Sequence, residues 1–238
     1  MKIAIVGYGK MGRMVEEVAV ERGHEIVLKI DVSNTGEFTK ENLSKADVAI
    51  EFTGPESAFD DVKKCLQFGI PVVSGSTGWN KNIPEAEKIC VERNGSFLHT
   101  SNFSIGVNIF FEINKHLARL MADQSAYEVS LKEIHHTSKK DAPSGTAVSL
   151  AEQIIQNNQR KKSWANHVTD EVDKIGIVSE RIDPAPGTHF VKYSSEVDQI
   201  EIIHTAHSRK GFALGAVMAA EYIADKKGVF TMSDILNL

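Results

Sequence analysis

Short apolar runs alternate with amphipathic segments over the first 104 residues, and this alternation restricts the fold more than any other feature of the 238-residue chain. The predicted strands cover residues 2–6, 26–30, 48–52, 72–74 and 97–99. Between the first two, Met11, Val15 and Val18 recur at the spacing of one helix face. Strands that alternate with helices in this way predict an α/β fold with a Rossmann-type, doubly wound parallel sheet.

The pattern changes after residue 104. Residues 106–121 read as a longer helix, and the apolar Tyr127, Val129 and Leu131 then alternate with polar neighbours, which is typical of an antiparallel or mixed strand. A helix over 144–158 and strands near 175–182, 189–193 and 197–205 follow. These elements predict a second, α+β domain that contains a mixed sheet.

Residues 212–224 return to a helical pattern, and the closing turn at 233–236 is expected to pack on the first domain. We therefore predict one domain from residues 1–104 with 208–238, and a second from residues 105–207.

Composition excludes several classes of function. The net charge of −5 and the pI of about 6.0 argue against a general electrostatic grip on nucleic acid. No apolar run approaches the length of a membrane span, and the N-terminal apolar segment is too short for a signal peptide. These features predict a cytoplasmic protein. Cys65 and Cys90 fall inside predicted helices without metal-ligand spacing, so we expect reduced packing residues.

A glycine fingerprint follows the first strand and opens the first helix. Its residues are Gly7, Tyr8, Gly9, Lys10, Met11 and Gly12. The first glycine permits the tight turn, the second lets the backbone approach a pyrophosphate, and the third allows close helix–strand packing. With the helix N-terminus, they predict a dinucleotide site; a turn without a ligand is the alternative.

Asp31 stands at the end of the second predicted strand, nineteen residues beyond Gly12. A carboxylate there can accept hydrogen bonds from the adenosine ribose and repels a 2′-phosphate. No arginine follows it in the sequence Val32, Ser33 and Asn34. We therefore expect NADH to be favoured over NADPH, with simple strand-end polarity as the alternative.

Two further segments end predicted strands on the same sheet edge, where open α/β folds bind ligands. The candidate cofactor-binding residues are Phe52 and Thr53 in one and Gly75, Ser76 and Thr77 in the other. On periodicity alone, either segment could equally be an ordinary loop between a strand and a helix.

The most specific string in the sequence covers residues 133–147. It places His135, His136 and Lys139 at a strand end and then begins a helix with small, hydroxylated residues: Ser144, Gly145 and Thr146. Backbone N–H groups and a hydroxyl at a helix N-terminus form a natural carboxylate receptor. The combination suggests proton donation to an anionic substrate beside a hydride donor. We expect no metal, since His204 and His207 lack a third ligand nearby in sequence.

This string resembles the E-x-H-H-x-x-K-x-D-A-P-S-G-T-A pattern of the dihydrodipicolinate reductase family. Other features of that family occur in order along the chain: the N-terminal fingerprint, Glu51-Phe52-Thr53, Gly75-Ser76-Thr77-Gly78, and the segments 101–108 and 208–216. Together they span most of the sequence. The long string is highly specific, whereas the glycine fingerprint would fit many dehydrogenases.

The resemblance implies roles for individual residues. His135 corresponds to a proton donor or acceptor, Lys139 to a second proton donor, and His136 to a substrate-binding imidazole. Gly145 and Thr146 correspond to residues that hold a substrate carboxylate, assisted by Ser144. The resemblance also implies cofactor contacts from Thr100, Ser101, Asn102, Phe103 and Arg209.

The family's reaction is the NAD(P)H-dependent reduction of 4-hydroxy-tetrahydrodipicolinate, with loss of water, in the diaminopimelate pathway of lysine biosynthesis. The resemblance further implies a homotetramer built on the second domain, and domain closure near residues 104 and 208. A cofactor-binding sensor and a related amino-acid or semialdehyde dehydrogenase are the competing hypotheses. Neither would be expected to carry the full string at 133–147.

Two further features bear on these expectations. Only about sixteen residues separate Asp31 from the third strand near Val48, so a crossover element shorter than is usual in the family is expected. Arg160, Lys161 and Lys162 form a basic run after a helix, which is usually a solvated face.

Overall fold

The computed structural model describes residues 1–238 and divides into two compact units. The first unit comprises Met1–Ile105 with Lys210–Leu238, and the second comprises Gly106–Arg209. None of the helices combines the length and the apolar character needed to cross a membrane.

Eleven strands and eight helices follow one another along the chain. In order they are β1 (Lys2–Val6), α1 (Lys10–Glu21), β2 (Glu25–Ile30), α2 (Lys40–Leu43), β3 (Val48–Glu51), α3 (Ala58–Gln67), β4 (Val72–Ser74), α4 (Ile83–Glu92), β5 (Ser96–His99), α5 (Ile105–Leu120), β6 (Glu128–His135), α6 (Gly145–Asn157), β7 (Ser163–Ala165), β8 (Lys174–Arg181), β9 (Gly187–Ser194), β10 (Gln199–Ala206), α7 (Lys210–Ile223), β11 (Gly228–Phe230) and α8 (Met232–Leu236).

The first unit is built on a six-stranded sheet of order β11-β5-β4-β3-β1-β2, in which every pair is parallel. One face packs on α3 and α4, and the other packs on α1 and α7. Burial on both faces explains why β1 is almost continuously apolar. The predicted doubly wound sheet is therefore confirmed. The strand order reverses between β1 and β3, which is where such sheets bind ligands.

The second unit carries a five-stranded mixed sheet of order β10-β9-β6-β8-β7. The central strand β6 pairs parallel with β8 and antiparallel with β9, as its alternating pattern predicts. One face of this sheet packs on α5 and α6, and Val129, Leu131 and Tyr193 point into that core. The second α+β domain is confirmed.

Two strands were missed by the sequence reading. β7 and β11 are only three residues long and lie at sheet edges, so neither shows a periodic pattern. The short crossover expected after Asp31 consists of a 3₁₀ turn at Thr35–Glu37 and the four-residue helix α2.

The expected solvated face at Lys161 is wrong. Lys161 is 2% exposed, and its ammonium donates to Glu128 Oε2 and to the carbonyls of Val172 and Lys174. A buried ammonium needs such partners, and only the fold supplies them. Cys65 and Cys90 are buried in α3 and α4, as expected of packing residues.

Candidate active site

A groove of about 700 Å³ lies at the carboxyl edge of the first unit's sheet. Six of the predicted cofactor-binding residues line it: Gly7, Tyr8, Gly9, Asp31, Phe52 and Thr53. Phe38 and Lys64 line it as well, and the Lys64 ammonium lies 4.6 Å from the centroid of the Phe38 ring. The sequence reading missed these two residues, because nothing in the local pattern connects them to Asp31.

The glycine fingerprint forms one wall of the groove. Gly7 has a φ of +95°, and a Cβ there would lie 2.2 Å from the Phe52 carbonyl oxygen. A Cβ on Gly12 would lie 2.4 Å from the Gly7 carbonyl oxygen, whereas one on Gly9 would meet nothing within 4 Å. Neighbouring backbone atoms therefore leave no room for a side chain at Gly7 or Gly12, whether or not a ligand is bound. The open space at Gly9 suits the close approach of a pyrophosphate.

The first turn of α1 follows directly. Lys10 is exposed at the start of the helix, while Met11 is partly buried against the core. The unpaired N–H groups at this N-terminus favour a negatively charged group.

Asp31 lies at the end of β2 with one carboxylate oxygen already engaged. Its Oδ1 accepts from the backbone N–H of Ser33 at 2.7 Å and from the Ser33 hydroxyl at 2.6 Å. These hydrogen bonds lower the pKa of Asp31, so the group is an anion. Its Oδ2 remains available to accept from a ribose hydroxyl.

A fully buried carboxylate lies beneath the groove. Glu51 Oε1 accepts from the Thr53 backbone N–H and hydroxyl, both at 2.6 Å, and from the Ser76 hydroxyl at 2.5 Å. Its Oε2 accepts from the Ser74 hydroxyl at 2.5 Å. Burial raises the pKa of the neighbouring Asp61, and the nearby charge of Glu51 raises it further. Asp61 Oδ2 also accepts from the Thr53 hydroxyl. Glu51 thus holds together the ends of β3 and β4.

The remaining predicted residues of the first unit do not line the groove. Gly75 lies against the Phe52 ring, where a Cβ would come within 2.1 Å of it, and Thr77 is exposed. Phe103 is buried with its ring centroid 5.9 Å from that of Phe52.

The segment before Phe103 is shaped by its own hydrogen bonds. The Asn102 backbone N–H donates to Thr100 Oγ1 at 3.1 Å, and Ser101 is exposed. Arg209 is exposed as the last residue of the second unit and is not part of the groove.

In the second unit, the end of β6 holds a carboxylate–imidazole pair. Glu133 is 0% exposed and His135 is 8% exposed, and His135 Nδ1 donates in a short hydrogen bond to Glu133 Oε2. Burial alone would raise the pKa of Glu133, but hydrogen bonds from His135, Ser179 and Arg181 outweigh it and lower the pKa to about 2. The carboxylate therefore fixes the proton of His135 on Nδ1, which leaves Nε2 to exchange protons.

The His135 ring is closely enclosed. A Cβ on Gly187, at the start of β9, would lie 2.9 Å from His135 Nε2, so a larger residue there would displace the ring.

A loop after β6 carries the predicted lysine. Lys139 Nζ lies 2.9 Å from Asp141 Oδ1, and the Lys139 side chain is 22% exposed, whereas Lys140 is exposed. His136 Nδ1 lies 2.7 Å from the Ser138 hydroxyl. The loop is anchored to Asp183, which accepts from the Thr137 backbone N–H at 3.1 Å.

Helix α6 begins immediately after this loop. Ser144 is its N-cap, and Ser144 Oγ accepts from the Ala147 backbone N–H at 3.2 Å. The N–H groups of Gly145 and Thr146 precede the first intrahelical donor, so they are free to bind an anion. His189 of β9 lies 3.0 Å from Ser144 Oγ through its Nε2. The N-cap hydroxyl of α6 is therefore in contact with a buried imidazole.

Three potential metal ligands occur together here. Ligand atoms of Glu133, His135 and His189 lie within 4.8 Å of one another. Both Glu133 oxygens are already hydrogen-bonded, Oε2 to His135 and Oε1 to Arg181 at 3.0 Å. The arrangement is therefore that of an oriented imidazole.

Three residues of this cluster were missed by the sequence reading: Glu133, Arg181 and His189. Glu133 lies inside the 133–147 string and, in the every-second-residue pattern of β6, has the same phase as the buried Val129 and Leu131, a signal that could have marked it as buried. Arg181 and His189 come from strands that only the fold brings beside β6.

A parallel sheet with a glycine-walled groove, in one chain with a mixed sheet that carries an oriented imidazole and a lysine, defines a two-unit, dinucleotide-dependent oxidoreductase. Residues 1–103 match the family described as dihydrodipicolinate reductase, N-terminus, and residues 106–236 match its C-terminus. The chain belongs to the dihydrodipicolinate reductase family.

Named relatives agree with this assignment over the whole chain. A 4-hydroxy-tetrahydrodipicolinate reductase from Christiangramia forsetii is 48% identical over 237 residues, covering 100% of this chain and 98% of the relative. One from Archaeoglobus fulgidus is 34% identical and covers 100% of both chains. The structure of a dipicolinate-bound dihydrodipicolinate reductase from Paenisporosarcina sp. TG-14 shares the fold, with a TM-score of 0.78, 23% identity and 97% coverage of each chain.

Proposed function

We propose that this protein reduces 4-hydroxy-tetrahydrodipicolinate to tetrahydrodipicolinate with NAD(P)H and loss of water, in the diaminopimelate pathway of lysine biosynthesis. The observation that carries the proposal is the buried Glu133–His135 pair in the same unit as the Ser144-capped N-terminus of α6. The relatives named for this reaction, at 48% and 34% identity, support it.

The first unit is the proposed dinucleotide-binding domain. Gly9 and the α1 N-terminus would hold the pyrophosphate, and Asp31 Oδ2 would accept from the adenosine ribose. Glu51 fixes the loops of Thr53 and Ser76, which we assign to the other end of the cofactor. When bound, the reduced nicotinamide supplies the hydride.

The second unit is the proposed substrate-binding domain. The free N–H groups of Gly145 and Thr146, with the Ser144 hydroxyl, would bind one carboxylate of the substrate. His136 and Lys139 would add donors and positive charge for the dicarboxylate. Preorganised donors of this kind stabilise charge more strongly than water does.

Proton delivery is assigned to His135 and Lys139. Addition of a hydride to a conjugated imine leaves an electron-rich enamine, which must take up a proton to give the product. Because Glu133 holds the Nδ1 proton of His135, this residue would take up a second proton from solvent on Nε2 and deliver that proton to the enamine. Lys139, paired with Asp141, is the second donor.

NADH is the proposed preferred cofactor. Asp31 is an anion at the point where the 2′-phosphate of NADPH would lie, and the exposed residue that follows it is Val32. A carboxylate without an adjacent arginine favours a free ribose hydroxyl.

A homotetramer is proposed through the outer face of the second unit's sheet. Ile203, Phe190 and Lys132 lie in register across β10, β9 and β6 on the face away from α5 and α6, and Ile203 is 52% exposed. Light scattering should then give four times the 26.2 kDa mass of the chain. A monomer at micromolar concentration would contradict this proposal.

The deciding experiment supplies freshly generated hydroxy-imine with NADH or NADPH and follows the absorbance of the reduced cofactor. We expect the reduced cofactor to be oxidised only when both the substrate and the enzyme are present, and to be oxidised faster when it is NADH. If the protein oxidises neither NADH nor NADPH in the presence of the hydroxy-imine, the proposed reaction is wrong.

A further inference from the structure

Arg181, at the end of β8, uses all three guanidinium nitrogens within the candidate active site. Its Nη1 donates to Glu133 Oε1 at 3.0 Å and to the Glu180 carbonyl at 2.7 Å. Its Nη2 donates to the Asp141 carbonyl at 2.6 Å, and its Nε donates to the Lys139 carbonyl at 3.3 Å. The side chain is 20% exposed. This guanidinium therefore connects a buried carboxylate to an exposed loop.

One end of the connection acts on His135. Glu133 is entirely buried, and an unpaired carboxylate in that position would be strongly disfavoured. Hydrogen bonds from His135, Ser179 and Arg181 keep Glu133 ionised, and Arg181 also balances its charge with a fixed cation. The ionised Oε2 is the acceptor that orients His135 through Nδ1. Without Arg181, His135 would still be hydrogen-bonded to Glu133, but no fixed cation would balance the negative charge of Glu133.

The other end of the connection acts on Lys139. The two loop carbonyls that Arg181 binds belong to Lys139 and Asp141, the two residues whose side chains pair at 2.9 Å. Fixing the backbone on both sides of Lys140 holds that pair in place. A planar guanidinium can satisfy these divergent acceptors together, whereas a lysine ammonium is a single point charge.

We propose that Arg181 is a positioning residue that sets His135 and the Lys139 loop in one fixed arrangement for proton delivery. The inference rests on the proposed function of these two residues. It assigns Arg181 no contact with substrate or cofactor.

The test compares R181M and R181K with the wild-type protein and with K174M. Lys174 lies on the same strand and forms only an exposed ion pair with Glu171, so K174M controls for the loss of a surface cation. Measurements are kcat and KM for the hydroxy-imine, the Kd for NADH, and the pH profile of kcat/KM.

We expect R181M to lower kcat by about 100-fold, because small displacements of catalytic groups have effects of that size. R181K should fall between R181M and wild type, and K174M should match wild type. The Kd for NADH should be unchanged in all of them, because the dinucleotide site lies in the first unit.

The pH profile separates positioning from general destabilisation. The charged and titratable groups around His135 are Glu133 on its own strand, Arg181 on β8, His189 on β9, and Lys139 in the loop. R181M removes the cation beside Glu133 and leaves the Glu133 charge to act on His135 alone, so the limb that H135Q abolishes should move to higher pH in R181M. R181K keeps a cation at this position and should move that limb less. A purely structural loss would lower the amplitude without moving that limb.

A double-mutant cycle completes the test. In the H135Q background, R181K should cost several-fold less than it does alone, because the group that it positions is already absent. R181K that folds and keeps wild-type kcat would overturn the proposal, even if R181M fails to fold, and so would a folded R181M with the wild-type pH profile. Failure of the proposed reaction is distinguishable, since the wild-type protein itself would then oxidise no cofactor with the hydroxy-imine.

Discussion

Ser144 and His189 are 45 residues apart in the chain, yet Ser144 Oγ lies 3.0 Å from His189 Nε2 inside the second unit. Burial lowers the pKa of His189 to about 3, so the ring is neutral. His189 Nδ1 is buried without a partner, and a bare lone pair there is less costly than a bare N–H. We therefore place the ring proton on Nε2, where it donates to Ser144 and leaves the Ser144 hydroxyl proton for a ligand.

Replacing His189 should weaken the proposed carboxylate-binding site at the start of α6. In H189L the Ser144 hydroxyl loses a donor that holds its orientation, so we expect pyridine-2,6-dicarboxylate to inhibit about tenfold more weakly, the usual size of one hydrogen bond. Steady-state inhibition against the hydroxy-imine measures this. H204L, which removes another half-buried imidazole from the same sheet, is the control. Pyridine-2,6-dicarboxylate should inhibit H204L as strongly as it inhibits the wild-type protein. Equal inhibition constants in H189L and wild type would contradict the assignment.

His189 should also make the fold sensitive to acid. The unfolded chain binds a proton at His189 near pH 6.5, while the folded chain does so only near pH 3. The unfolded state therefore holds more protons between these values, and stability falls as the pH falls through that window, by up to about 1.4 kcal/mol per pH unit. Urea unfolding at pH 7 and pH 4.5 should show a smaller loss in H189L than in wild type. Parallel losses in the two proteins would refute the prediction.

Lys139 and Lys140 provide a matched pair of variants. We expect K139A to lower kcat by about 10²- to 10⁴-fold, the usual contribution of a positioned proton donor, and H135Q to do the same. K140A should retain wild-type turnover, because Lys140 is exposed whereas Lys139 pairs with Asp141. NADH binding, followed by fluorescence, should be normal in all three. A larger effect in K140A than in K139A would reverse the assignment.

Asp31 should control the choice of cofactor. In D31S the anionic acceptor for the ribose is lost and the repulsion of a 2′-phosphate is removed, so the NADH/NADPH ratio of kcat/KM should fall by about tenfold or more. E37Q removes an exposed negative charge from the same segment and should leave the ratio unchanged. If E37Q and D31S alter the ratio equally, general electrostatics would be the cause.

Glu51 should contribute to stability as well as to the cofactor loops. In E51Q an amide NH₂ replaces one oxygen that now accepts from Thr53, Ser74 or Ser76, so at least one buried donor loses its acceptor. We expect the free energy of unfolding to fall by about 1–3 kcal/mol. E56Q, at an exposed glutamate of the same loop, is the control. Urea denaturation that is identical for the two variants would contradict this role.

Much of this protein is determined by sequence periodicity and local spacing. The alternation over the first 104 residues predicts the parallel sheet, and the fingerprint from Gly7 to Gly12 predicts the turn that opens α1. Both are local properties, since the side-chain period and the steric demand of a turn act within a few residues. The family resemblance rests on the 133–147 string for the same reason.

Only the tertiary structure brought Arg181, His189 and Glu133 together, because they lie on three different strands whose pairing no local pattern records. It also buried Lys161, which by sequence alone belongs to a solvated basic run. A charged side chain is buried where distant carbonyls and carboxylates converge on it, and that convergence depends on strand order and register. The sequence therefore determined the first unit's sheet and the residues proposed to carry the chemistry, and the fold decided which partners hold those residues in place.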